Sequence, residues 1–258
     1  MKTGLALSGG GARGIAHLGV VKAMLEKGIH FDVISGTSAG AVAGLFLAKG
    51  YSPDEALEIF TRTSVYKFLR PAINIRGLFK IGSVESIIKP YFGEAIFTDL
   101  DTPFYVSATN VRTGKIRVFS DGELVRPVLA SCCIPVVYEP MAIGDELYMD
   151  GGVVNNLPVE PLLGNVDRIV GVHCNPISDQ YQGRNMRRLM ERSLLLAINE
   201  NVAARKPKCD LFIEPTELKN FHVFDFRKAK QIFQVGYDYA SDLLSNKSVL
   251  SKLKQDVS

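Results

Sequence analysis

The sequence predicts an α/β protein built on a mixed, mainly parallel central sheet with helices on both faces. Three observations lead there. Short apolar runs recur along the chain, helical amphipathic patterns alternate with them, and two turn signals interrupt the alternation. Buried strands alternating with helices build parallel sheets covered on both faces, while tight turns add antiparallel strands at an edge. A chain of 258 residues fits one large domain. No internal repeat, low-complexity segment or Gly/Ser/Pro-rich linker divides it, so 1–258 is read as a single unit.

Leu5 to Ser8 is the first apolar strand, followed by the glycine turn Gly9 to Gly14. A helix then runs to about Lys27 with Leu18, Val21 and Leu25 on one face. Phe31 to Ser35 reads as the second strand and Ala39 to Lys49 as the next helix. Ser52-Pro53-Asp54-Glu55 opens a third, with Ser52 as N-cap, Pro53 in the first position and Glu55 three residues beyond the cap. Thr102 to Asn110 and Lys115 to Ser120 flank Val111-Arg112-Thr113-Gly114, a hairpin signal. A short helix is expected over Leu124 to Cys133. Met141 to Ile143 and Glu146 to Met149 form a second hairpin around Gly144-Asp145. Arg168 to His173 and Asp210 to Ile213 are further strands. Met186, Leu189, Met190, Ser193, Ala197 and Ile198 trace one amphipathic helix, and Ala229, Ile232, Phe233, Gly236, Ala240 and Leu243 another.

Composition narrows the function classes. A net charge of +3 is too small to argue for nucleic acid. Met1-Lys2-Thr3 leads straight into Gly4-Leu5-Ala6-Leu7, too short for the apolar region of a signal peptide, and no run of about 18 apolar residues suggests a membrane span. Cys132 and Cys133 are adjacent while Cys174 and Cys209 are isolated, a pattern of reduced structural thiols rather than disulfides or metal ligands. The expectation is a cytoplasmic protein without metal or cofactor.

Gly36-Thr37-Ser38-Ala39-Gly40 lies between an apolar strand and an apolar helix. A serine among small residues at such a switch reads as a nucleophile elbow, with Gly36 and Gly40 where larger side chains would clash and the hydroxyl at a helix N-terminus. Gly9-Gly10-Gly11-Ala12-Arg13-Gly14 satisfies the dinucleotide pattern G-x-G-x-x-G, which also wants an acidic residue at the end of the second strand. Asp32 stands at that strand's start, and the elbow occupies its end. Read instead as an oxyanion hole, Gly9, Gly10 and Gly11 let backbone amides converge on one point. Arg13 either braces this loop, adds positive charge near the oxyanion, or forms a surface ion pair. The proton acceptor is open between a histidine (only His173 and His222 follow Ser38) and Asp150 in Tyr148-Met149-Asp150-Gly151-Gly152.

Taken in order, Gly9 to Gly14, Gly36 to Gly40, Ala130-Ser131 with Pro135, and Asp150-Gly151-Gly152 resemble the patatin-like phospholipases. The resemblance covers roughly Leu5 to Leu163 and leaves 164–258 to the strand and helix reading alone. It implies a Ser–Asp dyad for hydrolysing fatty-acyl esters, with Ser38 as nucleophile, Asp150 as base, Gly10 and Gly11 as oxyanion donors, and Gly9 shaping the loop. A lipid ester is the substrate it implies. The other readings are a general carboxylesterase or thioesterase with the same dyad, and a non-catalytic lipid- or nucleotide-binding protein. Between Val65 and Ile81, apolar residues interleave with Lys67, Arg70, Arg76 and Lys80, which suits either a cover over the site, contact with an anionic lipid surface, or an ordinary folded loop. Arg184, Arg187, Arg188 and Arg192 make a second basic cluster, read as a solvated helix face.

Overall fold

The computed structural model describes residues 1–62, 81–178 and 186–254. All of the 65–81 segment except Ile81, and Arg184 of the second basic cluster, lie outside the described residues.

Among the described residues the strands are β1 (Thr3–Leu7), β2 (Val33–Thr37), β3 (Phe104–Asn110), β4 (Ile116–Phe119), β5 (Met141–Ile143), β6 (Glu146–Asp150), β7 (Arg168–Val172) and β8 (Leu211–Ile213). The helices are α1 (Ala16–Glu26), α2 (Ala39–Ala48), α3 (Pro53–Arg62), α4 (Gly82–Phe92), α5 (Val125–Ser131), α6 (Met186–Ala203), α7 (Ala229–Ser245) and α8 (Lys247–Lys254). They form one mixed sheet in the order β5-β6-β3-β2-β1-β7-β8, with β4 paired to β3. The pairings β3-β2, β2-β1, β1-β7 and β7-β8 are parallel; β3-β4, β3-β6 and β5-β6 are antiparallel.

Strand alternation sorts side chains between the two faces. Leu5, Leu7, Ile34, Val170 and Val172 join the larger core with residues of α1, α2, α7 and α8. Ala6, Val33 and Ile169 face the other way, against Leu157, Val159, Leu162 and α6 residues Ile198 and Val202. The Ser52 capping box forms as its sequence implies: Ser52 N–H donates to Glu55 Oε2 at 2.8 Å and Glu55 N–H to Ser52 Oγ at 3.3 Å.

β1 begins two residues earlier than the sequence reading has it, α4 and α8 have no counterpart in that reading, and three further differences concern the sheet and the site. β2 is shifted two residues, because Asp32 is engaged with Thr3: Asp32 N–H donates to the Thr3 carbonyl at 2.8 Å and Thr3 N–H to the Asp32 carboxylate at 2.7 Å. The first two turns of α6 do not pack inward. Met186, Leu189 and Met190 are exposed, whereas Leu195, Ile198 and Val202 are buried. The helix is about 27 Å long at 1.5 Å per residue, and only its second half reaches the sheet.

The third difference positions the site. The hairpins do not simply extend an edge, because β3 is an interior strand. β4 pairs with Val106 to Thr109 of β3, overlapping the β2 pairings (Phe104 to Ser107) and the β6 pairings (Ala108 to Asn110). Two strands that pair with the same residue must flank opposite edges, so β4 takes one edge, and β2 and β6 share the other end to end. Thr37, at the end of β2, faces Ser107; Asp150, at the end of antiparallel β6, faces Ala108. Two strand ends far apart in sequence are thereby brought to adjacent residues of one strand.

Candidate active site

Ser38 follows β2 directly and has φ 53° and ψ −122°, one of two non-glycine residues with positive φ among those described. This region is uncommon for an L-residue and requires surrounding structure to hold it. That structure is a close crossing. A Cβ on Gly40 would lie 2.3 Å from the Leu7 carbonyl oxygen, and one on Gly36 2.5 Å from the Gly40 carbonyl oxygen. The Ser38 N–H donates to Ser131 Oγ at 2.8 Å, and Ser131 Oγ donates to the Ser107 carbonyl at 2.7 Å. Ser131, in the Ala130-Ser131 block, therefore pins the elbow to β3.

Asp150 is held from three sides. Its N–H donates to the Cys133 carbonyl at 2.9 Å, its carbonyl accepts from Thr109 Oγ1 at 3.0 Å, and its Oδ1 accepts from Gly152 N–H at 2.7 Å. Burial pushes the carboxyl up to about 6, opposed by hydrogen bonding from the Ser38 hydroxyl and from the Gly152 amide. Ser38 and Asp150 line the same cavity, and the serine hydroxyl is among the groups that hold the carboxyl lower than burial alone would.

The glycine turn crosses beneath the elbow. Among the described residues, the amides of Gly10 and Gly11 have no hydrogen-bond partner. The Gly9 amide is engaged by the Asn156 carbonyl at 3.3 Å, so Gly9 offers space rather than a donor; a Cβ there would lie 3.1 Å from Ser38 Cβ. Gly11 has φ +55°, and a Cβ on it would lie 2.3 Å from the Val223 carbonyl oxygen. Arg13 is buried rather than a surface ion pair: its Nε donates to the Phe221 carbonyl at 2.7 Å, bracing the chain that covers the turn. Burial lowers its pKa, offset by nearby Glu191. Arg13 lines neither cavity beside Ser38.

An asparagine framework that the sequence did not signal holds this turn. Asn175 Nδ2 donates to the Gly9 carbonyl at 2.7 Å, Asn156 N–H to Asn201 Oδ1 at 2.9 Å, and Asn201 Nδ2 to the Gly152 carbonyl at 3.1 Å. Isolated asparagines carry no spacing pattern, so only their contacts reveal the role.

The histidines are elsewhere. His17 contacts the Ser8 carbonyl at 2.7 Å and burial lowers it to about 4. His173 is buried, lowered to about 4 mainly by desolvation, and stacked on Phe212. His222 is 3.8 Å from Glu191, and His30 is exposed. Burial raises Cys132, beside Ser38, well above the usual thiol range, and Cys133 to about 12, so both remain thiols.

Ser38 stands between two cavities. One, of about 790 Å³, brings Gly9, Gly10, Gly11, Asp150, Gly152 and Asn156 together with α6. The other, of about 110 Å³, is apolar and includes Val42, Phe60, Val84, Ile87 and Phe226. Among the described residues no group of three or more His, Cys, Asp or Glu side chains could hold a metal, and no helix is long and apolar enough to cross a membrane.

Comparison with known proteins finds relatives in sequence and in fold. The family model described as Patatin-like phospholipase matches residues 5–163. An uncharacterized NTE family protein of Mycobacterium tuberculosis is 33% identical over 177 residues, covering 67% of this chain and 49% of that protein. Lysophospholipase NTE1 of Kluyveromyces lactis is 29% identical over 284 residues, covering 94% of this chain and 19% of that protein. The chain thus spans about half the length of the mycobacterial relative. VipD from Legionella pneumophila shares the fold, with a TM-score of 0.55 at 15% identity, covering 95% of this chain and 66% of that one.

Proposed function

This chain belongs to the patatin-like phospholipase family, and from that premise we propose that it is a serine lipid acyl hydrolase working through Ser38 and Asp150. The observation that carries the proposal is the meeting, in one cavity, of an elbow serine, a buried carboxyl and two unpartnered amides.

Asp150 accepts the Ser38 proton as the oxygen attacks an ester carbonyl. The Gly10 and Gly11 amides receive the developing oxyanion, a contribution of roughly 3 kcal/mol per donor in comparable sites. Collapse of the tetrahedral species returns the proton to the departing alcohol and leaves an acyl-enzyme on Ser38. Water, deprotonated by the same carboxylate, then releases the fatty acid and restores the serine. The smaller cavity, lined by no charged side chain among the described residues, suits an acyl chain, and the larger one, which reaches Asn156, Asn175 and Glu191, suits the alcohol portion. The name of the Kluyveromyces relative favours lysophospholipid as substrate.

The test is turnover of phospholipid, lysophospholipid, monoacylglycerol and short-chain ester by the parent, Ser38→Ala and Asp150→Ala proteins, beside fluorophosphonate labelling. Both variants are expected to lose turnover by at least a thousandfold, and labelling is expected at Ser38 alone. Substantial turnover by Asp150→Ala removes the dyad. Turnover confined to short-chain esters makes the protein a general carboxylesterase, and an unlabelled Ser38 makes it a binding protein.

A further inference from the structure

The rim of the larger cavity is apolar and faces solvent. Met190 and Val136 both line that cavity and are 47% and 60% exposed. Met186 and Leu189 continue the exposed surface along α6, at 70% and 48%. Positions 186, 189 and 190 share one helical face by their i, i+3, i+4 spacing. Val136 reaches its position with φ 70°, a conformation that strains a β-branched residue. The chain around it is fixed by the Val137 and Tyr138 amides, both donating to the Ile134 carbonyl. Large apolar side chains grouped at the opening of a cavity mark an interaction surface rather than scattered exposure. Along the sequence, residues 184–192 contain four arginines and one glutamate, so this stretch of chain is net basic.

We propose that the first two turns of α6 and the Val136 loop dock on an anionic phospholipid bilayer, holding the cavity mouth against the membrane surface. The proposal rests on the lipid hydrolase reading for its purpose and on a different set of residues for its chemistry. Apolar side chains at the face of a helix enter the boundary between headgroups and acyl chains, and arginines are drawn to anionic headgroups. An acyl ester leaving the bilayer there enters the cavity that ends at Ser38 without crossing water.

The test uses Ser38→Ala protein, so that binding is read without turnover, in co-sedimentation with vesicles of phosphatidylcholine and phosphatidylglycerol. The parent of this series is expected to bind. Adding Met186→Asp and Leu189→Asp, at exposed positions that line neither cavity, is expected to weaken binding at least tenfold. With Ser38 restored, the same double substitution should leave hydrolysis of a monomeric, water-soluble ester within twofold of the original protein while reducing vesicle hydrolysis at least tenfold. Equal vesicle binding with and without the aspartates overturns the proposal, as does failure of the parent to bind. A parent that self-associates, becomes monomeric on substitution and shows no vesicle effect assigns this face to a second copy instead. None of these binding outcomes depends on the Ser38–Asp150 chemistry, and absence of ester turnover by the unsubstituted protein, with vesicle binding intact, refutes only that chemistry.

Discussion

Asp150 carries opposing demands. As a base it must be ionised, yet burial raises its pKa from the ordinary 3.8 to about 6. The logarithm of kcat/KM for a soluble ester is therefore expected to rise with unit slope up to about pH 6 and then level off; a profile flat from pH 4.5 to 8 excludes this carboxyl as the base. Stability moves the other way. With the folded-state pKa above the unfolded one, the native protein holds the extra proton between pH 4 and 6. The contribution of this group is thus fully present below about 4 and is lost as pH rises through 6. At 1.36 kcal/mol per unit the difference is about 3 kcal/mol. Asp150→Asn should consequently be inactive but more resistant to urea at pH 8, with the advantage vanishing near pH 4. Ser131 presents a different residue-scale case. Removing its hydroxyl leaves the Ser38 amide and the Ser107 carbonyl without their shared partner. Ser131→Ala should cost about 1–3 kcal/mol by chemical denaturation and lower kcat more than it raises KM. The motifs in the sequence named the residues that gather here, because glycines and a serine at a strand–helix switch leave a local imprint. Ser131 stood in a motif without an evident task, and Asn156, Asn175 and Asn201 left no imprint, since their partners are distant in sequence.

At the scale of elements, α1 and α7 meet through glycine. A Cβ on Gly19 would lie 2.0 Å from the Phe233 carbonyl oxygen, and one on Gly236 2.2 Å from the Ala16 carbonyl oxygen. These are backbone atoms, which cannot rotate away. Gly19→Ala gains about 1 kcal/mol of helix propensity but forces two packed helices apart, and overpacking costs typically 1–3 kcal/mol and sometimes more. The clash is severe enough that a net loss of about 2 kcal/mol is expected, read as a Tm lowered by roughly 4–8 °C. Gly82→Ala at the start of α4, where a Cβ meets nothing within 4 Å, is the control and should leave Tm unchanged or slightly raised. The α7 periodicity foretold its buried face, because Ile232, Phe233, Gly236 and Ala240 all pack inward. The same rule found α6, but Met186 and Leu189 at its start keep the apolar spacing and remain exposed. Periodicity reveals that a helix has an apolar face; it does not reveal what that face meets. Nor does a hairpin signal specify which strand edge will be occupied, and it is the shared edge of β3 that brings Asp150 to Ser38.

For the whole molecule, the named motifs all fall within 5–163, but their support does not. β7 pairs along the full length of β1, from Thr3 opposite Arg168 to Leu7 opposite Val172. Ile232, Phe233, Ala240 and Leu244 of α7 belong to the same core as Leu5, Leu7 and Leu18. The glycine turn itself is held by Asn175, Phe221 and the Val223 carbonyl, and the Asp150 turn by Asn201. A fragment of residues 1–163 would retain Ser38, Asp150 and the three turn glycines, yet expose one edge of β1 and the face of α1 that α7 covers. Buried backbone groups and apolar surface left in that state have no compensating partners, so the fragment should lack cooperative unfolding and Ser38 should not react with a fluorophosphonate. The 258-residue chain should instead unfold in one transition seen alike by far-ultraviolet circular dichroism and tyrosine fluorescence. A folded, reactive 1–163 fragment, or two separate transitions in the whole chain, would mean that the last third is a second unit rather than part of the site's scaffold.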